Sequence, residues 1–143
     1  MVNPPGPTAP PSDLERAMLE FVDAYDRAYE VAAAKHDLSV AQACLLARIG
    51  TPRGMGDLAD ELDCDPSNIT QIASRLGARD LIERRAGSED GRFRLLSRTA
   101  AGDALFAEFE KTFEFARAAA SKLSARERDE LTELLRKALA EGA

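Results

Sequence analysis

The chain has 143 residues, a formal net charge of −6, two cysteines, one His and no Trp. That length suits one domain or a compact subunit, and the acidic total argues against a non-specific polyanion binder. With a single His, and cysteines at positions 44 and 64 in neither metal-ligand nor redox spacing, no zinc set is available and no cofactor is expected.

Residues 1–11 hold five of the seven prolines and read as a disordered or extended arm without the apolar run of a secretory leader. No later stretch is apolar enough to span a membrane, so the expected location is cytoplasmic, with no membrane partner. Ser12 with Glu15 forms a capping box. After it, Leu14, Met18, Phe21, Tyr25, Ala28 and Ala32 recur at spacings of three and four, predicting one long helix to about Lys35. Asp37-Leu38-Ser39 breaks that pattern, and Ser39 can cap a second helix carrying Leu45, Leu46 and Ile49. Gly50-Thr51-Pro52-Arg53-Gly54 ends it.

Met55, Leu58, Ala59 and Leu62 give a third helix. After Asp63-Cys64-Asp65, Asp65 is a good N-cap and Pro66 a good first residue for a fourth. Ile69, Ile72, Ala73 and Leu76 cluster on one side of that helix. Ser67, Asn68, Gln71, Ser74 and Arg75 occupy the other, with Thr70 flanking them. This polar face has no acidic residue, whereas an ordinary solvated face mixes in Glu and Asp. Asn and Gln can pair with adenine, and Arg with guanine or phosphate, so the face suits a major-groove reader.

Two short strands are expected next, Leu81 to Arg85 and Arg92 to Ser97, joined by the polar turn Gly87–Gly91. Residues 66–98 are the only basic part of the chain, and all seven of their basic residues are Arg. Arg favours bidentate recognition of phosphate and base edges. Arg84, Arg85 and Arg94 alternate along the strands and could follow phosphates. Thr99 can cap a fifth helix running through Phe106, Phe109, Phe113 and Ala120 to Leu123. Ser124 with Glu127 opens a sixth, with Leu131, Leu134, Leu135 and Leu139. The first helix and the last two carry more apolar surface than so small a domain can cover. That leaves a second subunit to cover it.

The predicted fold class is mainly α with a small β-hairpin wing: a winged helix-turn-helix at 38–102, flanked by dimerisation helices at 12–37 and 103–143. In order and spacing the residues resemble the MarR family of bacterial transcriptional regulators. Leu38-Ser39-x-x-Gln42, Asp57-Leu58-Ala59, Asp65-Pro66-Ser67-Asn68-Ile69-Thr70, Arg75-Leu76 with Asp80-Leu81-Ile82-Glu83-Arg84, Asp90-x-Arg92 and Thr99-x-x-Gly102 carry the likeness. It implies a homodimer on a pseudo-palindromic double-stranded DNA operator, the fourth helix entering the major groove. Arg92 would enter the adjacent minor groove, oriented by Asp90. Ser67, Asn68, Thr70, Gln71 and Ser74 would touch bases or phosphates, and Arg75 the backbone or the wing. Arg84 joins this expected DNA-binding set.

Many members of the family bind small aromatic acids between the dimer helices and the DNA-binding lobe. Tyr25, Tyr29, His36 and Arg48 are the candidates for such an effector site, which makes the expected function a repressor released by a small molecule. The alternative is a winged-helix protein-interaction module with little DNA affinity. An enzyme is not expected, since no nucleophile–base pair or phosphate loop is visible. Three residues depart from the family pattern. Asp80 stands where Gly is usual, which predicts strain or a different bend. Gly91 replaces a frequent Arg. Arg98 replaces a Leu, as a phosphate contact or as a change in wing packing.

Overall fold

The computed structural model describes residues 12–86 and 94–141. In chain order its elements are α1 (Asp13–Ala34), α2 (Val40–Arg48), β1 (Arg53–Gly54), α3 (Met55–Glu61), α4 (Pro66–Ala78), β2 (Ile82–Ala86), β3 (Arg94–Arg98), α5 (Ala100–Thr112), α6 (Phe115–Ser121) and α7 (Ala125–Leu139). The predicted class holds: a mostly helical chain with a small antiparallel sheet.

Local chemistry sets most of the helix starts. Ser12, Ser39 and Ser124 each accept the N–H three residues on, while Glu15, Gln42 and Glu127 reach back to the cap. Thr99 accepts from the Gly102 N–H. Asp65 sits at the N-cap of α4, but its side chain makes no cap bond, so Pro66 and the backbone alone begin that helix.

Three helices end alike. Asp37, Asp63 and Asp80 have φ of 55°, 50° and 59°. The following N–H of Leu38, Cys64 or Leu81 returns to the carbonyl of Ala33, Ala59 or Leu76, at 3.0 Å in each case. This is the Schellman closure, which usually places Gly in the left-handed position. Of the two outcomes expected at Asp80, the bend is the ordinary one and not a different one, with Asp held in the left-handed position.

The buried core gathers Leu45 and Leu46 of α2 with its C-cap Ile49, Leu58 of α3, Ile69 and Leu76 of α4, and Leu96 of β3. At its edge lies a sheet in the order β1-β3-β2. Arg53 pairs with Leu96, and Ile82 through Ala86 pair with Arg98 back to Arg94. Two sequence expectations need correction. The 50–54 stretch, read only as a helix stop, supplies the edge strand β1; two residues are too few to show a period. The helix expected from Thr99 to Leu123 is two helices, broken at Phe113 and Glu114. At the break the Arg117 guanidinium donates to the Glu110 and Lys111 carbonyls, at 2.9 and 3.3 Å. A cation there satisfies carbonyls that a helix end leaves unpaired.

The flanking helices are unevenly covered. Ala32 and Ala33, at the end of α1, are buried, while Leu14, Met18, Phe21 and Val22 are exposed. No residue of α7 is buried, and Leu134 is 62% and Leu139 83% exposed. Among the described residues no helix is long and apolar enough to cross a membrane.

Candidate nucleic-acid interface

α3 and α4 meet through the tight turn at Asp63, with Cys64 half-buried against the core. α4 buries Ile69, Ala73 and Leu76 against the lobe. That fixes what it turns outward: Ser67, Asn68, Thr70, Gln71, Ser74 and Arg75 are all exposed. Pro66–Ala78 contains no carboxylate. The Thr70 hydroxyl donates to the Pro66 carbonyl at 3.1 Å, which leaves its oxygen as an outward acceptor.

The wing joins this face at one point. Arg84 Nη2 on β2 donates to Ser74 Oγ on α4 at 3.0 Å. Arg85 pairs with Glu83 at 2.7 Å, and Arg94 is exposed on β3. Asp90 and Arg92, the expected minor-groove pair, lie outside the described residues, as do Gly91 and the rest of the hairpin tip.

Two of the segment's arginines are committed internally. Arg98 is 14% exposed along its side chain and pairs with Asp103 at 2.9 Å. Its Nη1 donates to the Leu46 carbonyl at 3.0 Å, and its guanidinium carbon lies 4.4 Å from the Phe106 ring centroid. Of the two roles open to Arg98, wing packing is the one observed. Arg79 donates to the Asp37 and His36 carbonyls, at 2.7 and 3.2 Å. Sequence reasoning missed Arg79 and left Arg98 open. A cation in an apolar position at the wing root was the signal available for Arg98; none marked Arg79.

The candidate effector residues are partly brought together. Tyr25 and Tyr29 stack at 6.3 Å, and both meet Phe113 edge-on, at 5.2 and 5.1 Å. His36 lies 6.4 Å from Phe109 and bonds Thr112 Oγ1 through Nε2 at 2.9 Å. Burial, and then a hydrogen bond with Cys44, hold the Tyr29 hydroxyl well above the ordinary tyrosine range, with Arg48 opposing. Arg48 itself faces Glu61 at 3.5 Å and donates to the Cys44 carbonyl at 3.0 Å. A separate open cleft of about 380 Å³ runs between α1 and the α5–α6 break, lined by Arg27, Val31, Lys35, Thr112, Phe113 and Phe115 among others. None of the four candidates lines it.

Helix, tight turn, outward-facing helix and hairpin in this order make the lobe a winged helix-turn-helix. Residues 38–93, the winged helix of this chain, match the model of the MarR family. Solved structures agree in fold. E. coli MarR in its apo form is 23% identical with a TM-score of 0.76, covering 92% of this chain and 100% of its own. A cysteine-to-serine variant of E. coli MarR complexed with operator DNA is 24% identical, with a TM-score of 0.72 and coverage of 89% and 94%. The S. aureus MepR–DNA complex is 19% identical, with a TM-score of 0.74 and coverage of 90% and 98%. No curated protein matches the chain.

Proposed function

We propose that the protein is a dimeric, sequence-specific DNA-binding transcriptional regulator, a repressor that a small molecule releases. One observation carries the DNA-binding part. The second helix of a helix-turn-helix, α4, turns out amide, hydroxyl and guanidinium groups and no carboxylate, in a protein of net charge −6. The solved complexes of MarR and MepR with DNA support this reading. Ser67, Asn68, Thr70, Gln71 and Ser74 would read bases or hold phosphates, with Arg75 and Arg84 on the backbone. The effector would lie against the aromatic cluster of Tyr25 and Tyr29, at the junction of lobe and flanking helices.

The test is selection of bound duplexes from random DNA, followed by titration across salt. Affinity for a selected palindromic site should fall linearly in log–log form with salt. Asn68→Ala should weaken binding by ~1–3 kcal/mol, the scale of one base contact. A flat salt response, or no selected sequence, would favour the protein-interaction module instead.

A further inference from the structure

We propose that Arg79 and His36 are positioning residues that set the angle of the recognition helix α4 against the flanking helices. The inference rests on the DNA-binding reading. Arg79 is the C-cap of α4, at the opposite end of the helix from Ser67 and Asn68. Its two Nη atoms hold the carbonyls of His36 and Asp37. Those carbonyls belong to the turn that closes α1, where Asp37 is left-handed and Leu38 is buried. The same turn is tied to α5. Thr112 Oγ1 donates to the Glu108 carbonyl at 2.9 Å, so its hydroxyl proton is committed. With that proton on Glu108, the 2.9 Å contact with His36 is one that the Nε2–H tautomer donates. Thr112 is the last residue of α5, at the α5–α6 break, and it lines the open cleft beside α1. α4, the α1–α2 turn and the end of α5 are thus linked by hydrogen bonds, from the Arg79 side chain to the His36 carbonyl and from the His36 ring to Thr112.

Geometry gives that chain leverage. Ser67 and Arg79 are twelve positions apart, about 18 Å along a helix at ~1.5 Å per residue. A tilt of ~10° at Arg79 moves the far end by ~3 Å, close to the ~3.4 Å rise of one base step. In a dimer each lobe contributes its own displacement, so a loose clamp blurs the distance between the two recognition helices. It does not change what each helix reads.

The experiment compares wild type, Arg79→Met and Thr112→Val on the selected palindrome and on the same half-sites moved one base pair apart. Arg79→Met keeps the stem and removes the donors; Thr112→Val keeps the shape and removes the acceptor. Wild type should discriminate between the spacings. Arg79→Met should lose about tenfold of that discrimination, the scale of one misplaced contact. It should keep the same half-site sequence and a melting temperature near wild type. Thr112→Val should shift the same way by less. A merely structural role would lower affinity equally at both spacings. That outcome, or undiminished discrimination in a folded Arg79→Met, overturns the proposal. A wild type that selects no DNA overturns the DNA-binding reading itself and this inference with it, a failure visible before any variant is made.

Discussion

Gly102 stands in the first turn of α5, where a Cβ would lie 2.0 Å from the Leu81 carbonyl oxygen and 3.2 Å from Arg98 Cβ. The crowding is built by Thr99, whose N–H donates to that same Leu81 carbonyl at 3.1 Å and draws α5 onto the end of the helix-turn-helix. Backbone atoms cannot swing aside as a side chain can. Gly102→Ala should therefore cost about 3 kcal/mol, the upper range for overpacking, in a urea melt. A loss under ~0.5 kcal/mol would show that the approach is not tight. Tyr29 offers a second test. Its folded value is raised, so its contribution is complete below the unfolded value near ~10 and declines as pH rises above it. An absorbance titration should show the Tyr29 phenolate appearing only with alkaline unfolding. Tyr29→Phe should flatten the alkaline limb of the stability curve; an unchanged limb would refute the assignment. Neither Arg98 nor Arg79 could be placed from sequence. Their carbonyl partners lie 52 and 42 positions away, beyond any local pattern.

The helices show where sequence speaks clearly. Ser12, Ser39 and Ser124 find their partners within three residues, so those starts could be read before any fold was known. The amphipathic set of α4 was equally plain, because burial of Ile69, Ala73 and Leu76 dictates what faces out. The α5–α6 break was hidden for the opposite reason. Phe106, Phe109 and Phe113 keep helical spacing right up to it, and the interruption depends on Arg117 reaching back to Glu110. β1 was hidden because its identity comes from its partner Leu96 and not from its own two residues. Helix ends invite a prediction. Asp at the left-handed position costs ~1–2 kcal/mol relative to Gly, and its charge is the wrong sign for a helix C-terminus. Glycine returns part of that through the freedom it adds to the unfolded chain. Asp80 is held through its backbone, the Thr99 hydroxyl donating to its carbonyl at 2.7 Å and its own N–H donating to the Gly77 carbonyl at 2.9 Å, and glycine keeps both. Asp80→Gly should stabilise the protein by about 1 kcal/mol in chemical denaturation. A destabilised variant would mean that the Asp80 side chain does something the geometry does not show.

At the scale of the whole molecule, the unanswered apolar surface belongs to α1 and α7. α7 has 15 residues and a complete capping box, yet buries none of them. Isolated helices of that length are marginal in water, and most helix stability in proteins comes from packing an apolar face. Leu131, Leu134, Leu135 and Leu139 lie at spacings of three and four and form such a face with nothing on it. The first half of α1 presents a second one in Leu14, Met18, Phe21 and Val22. Two copies related by a two-fold axis could cover both at once, since such an interface uses the same patch on each subunit. Wild type should then sediment at twice 15.5 kDa. Leu134→Glu with Leu135→Glu should shift it to the monomer mass, because charge is strongly disfavoured in a desolvated apolar seam. Val40→Glu makes the control: Val40 is also exposed, but it starts α2 and belongs to neither face, so the mass should not change. The monomeric variant should also lose about 10²–10⁴ in affinity for a two-half-site duplex, the usual gain from linking two binding units. Its affinity for a single half-site should stay near that of one wild-type lobe. A wild type that sediments as a monomer, or a double variant that stays dimeric, would remove these helices from the account of how two recognition helices are held apart.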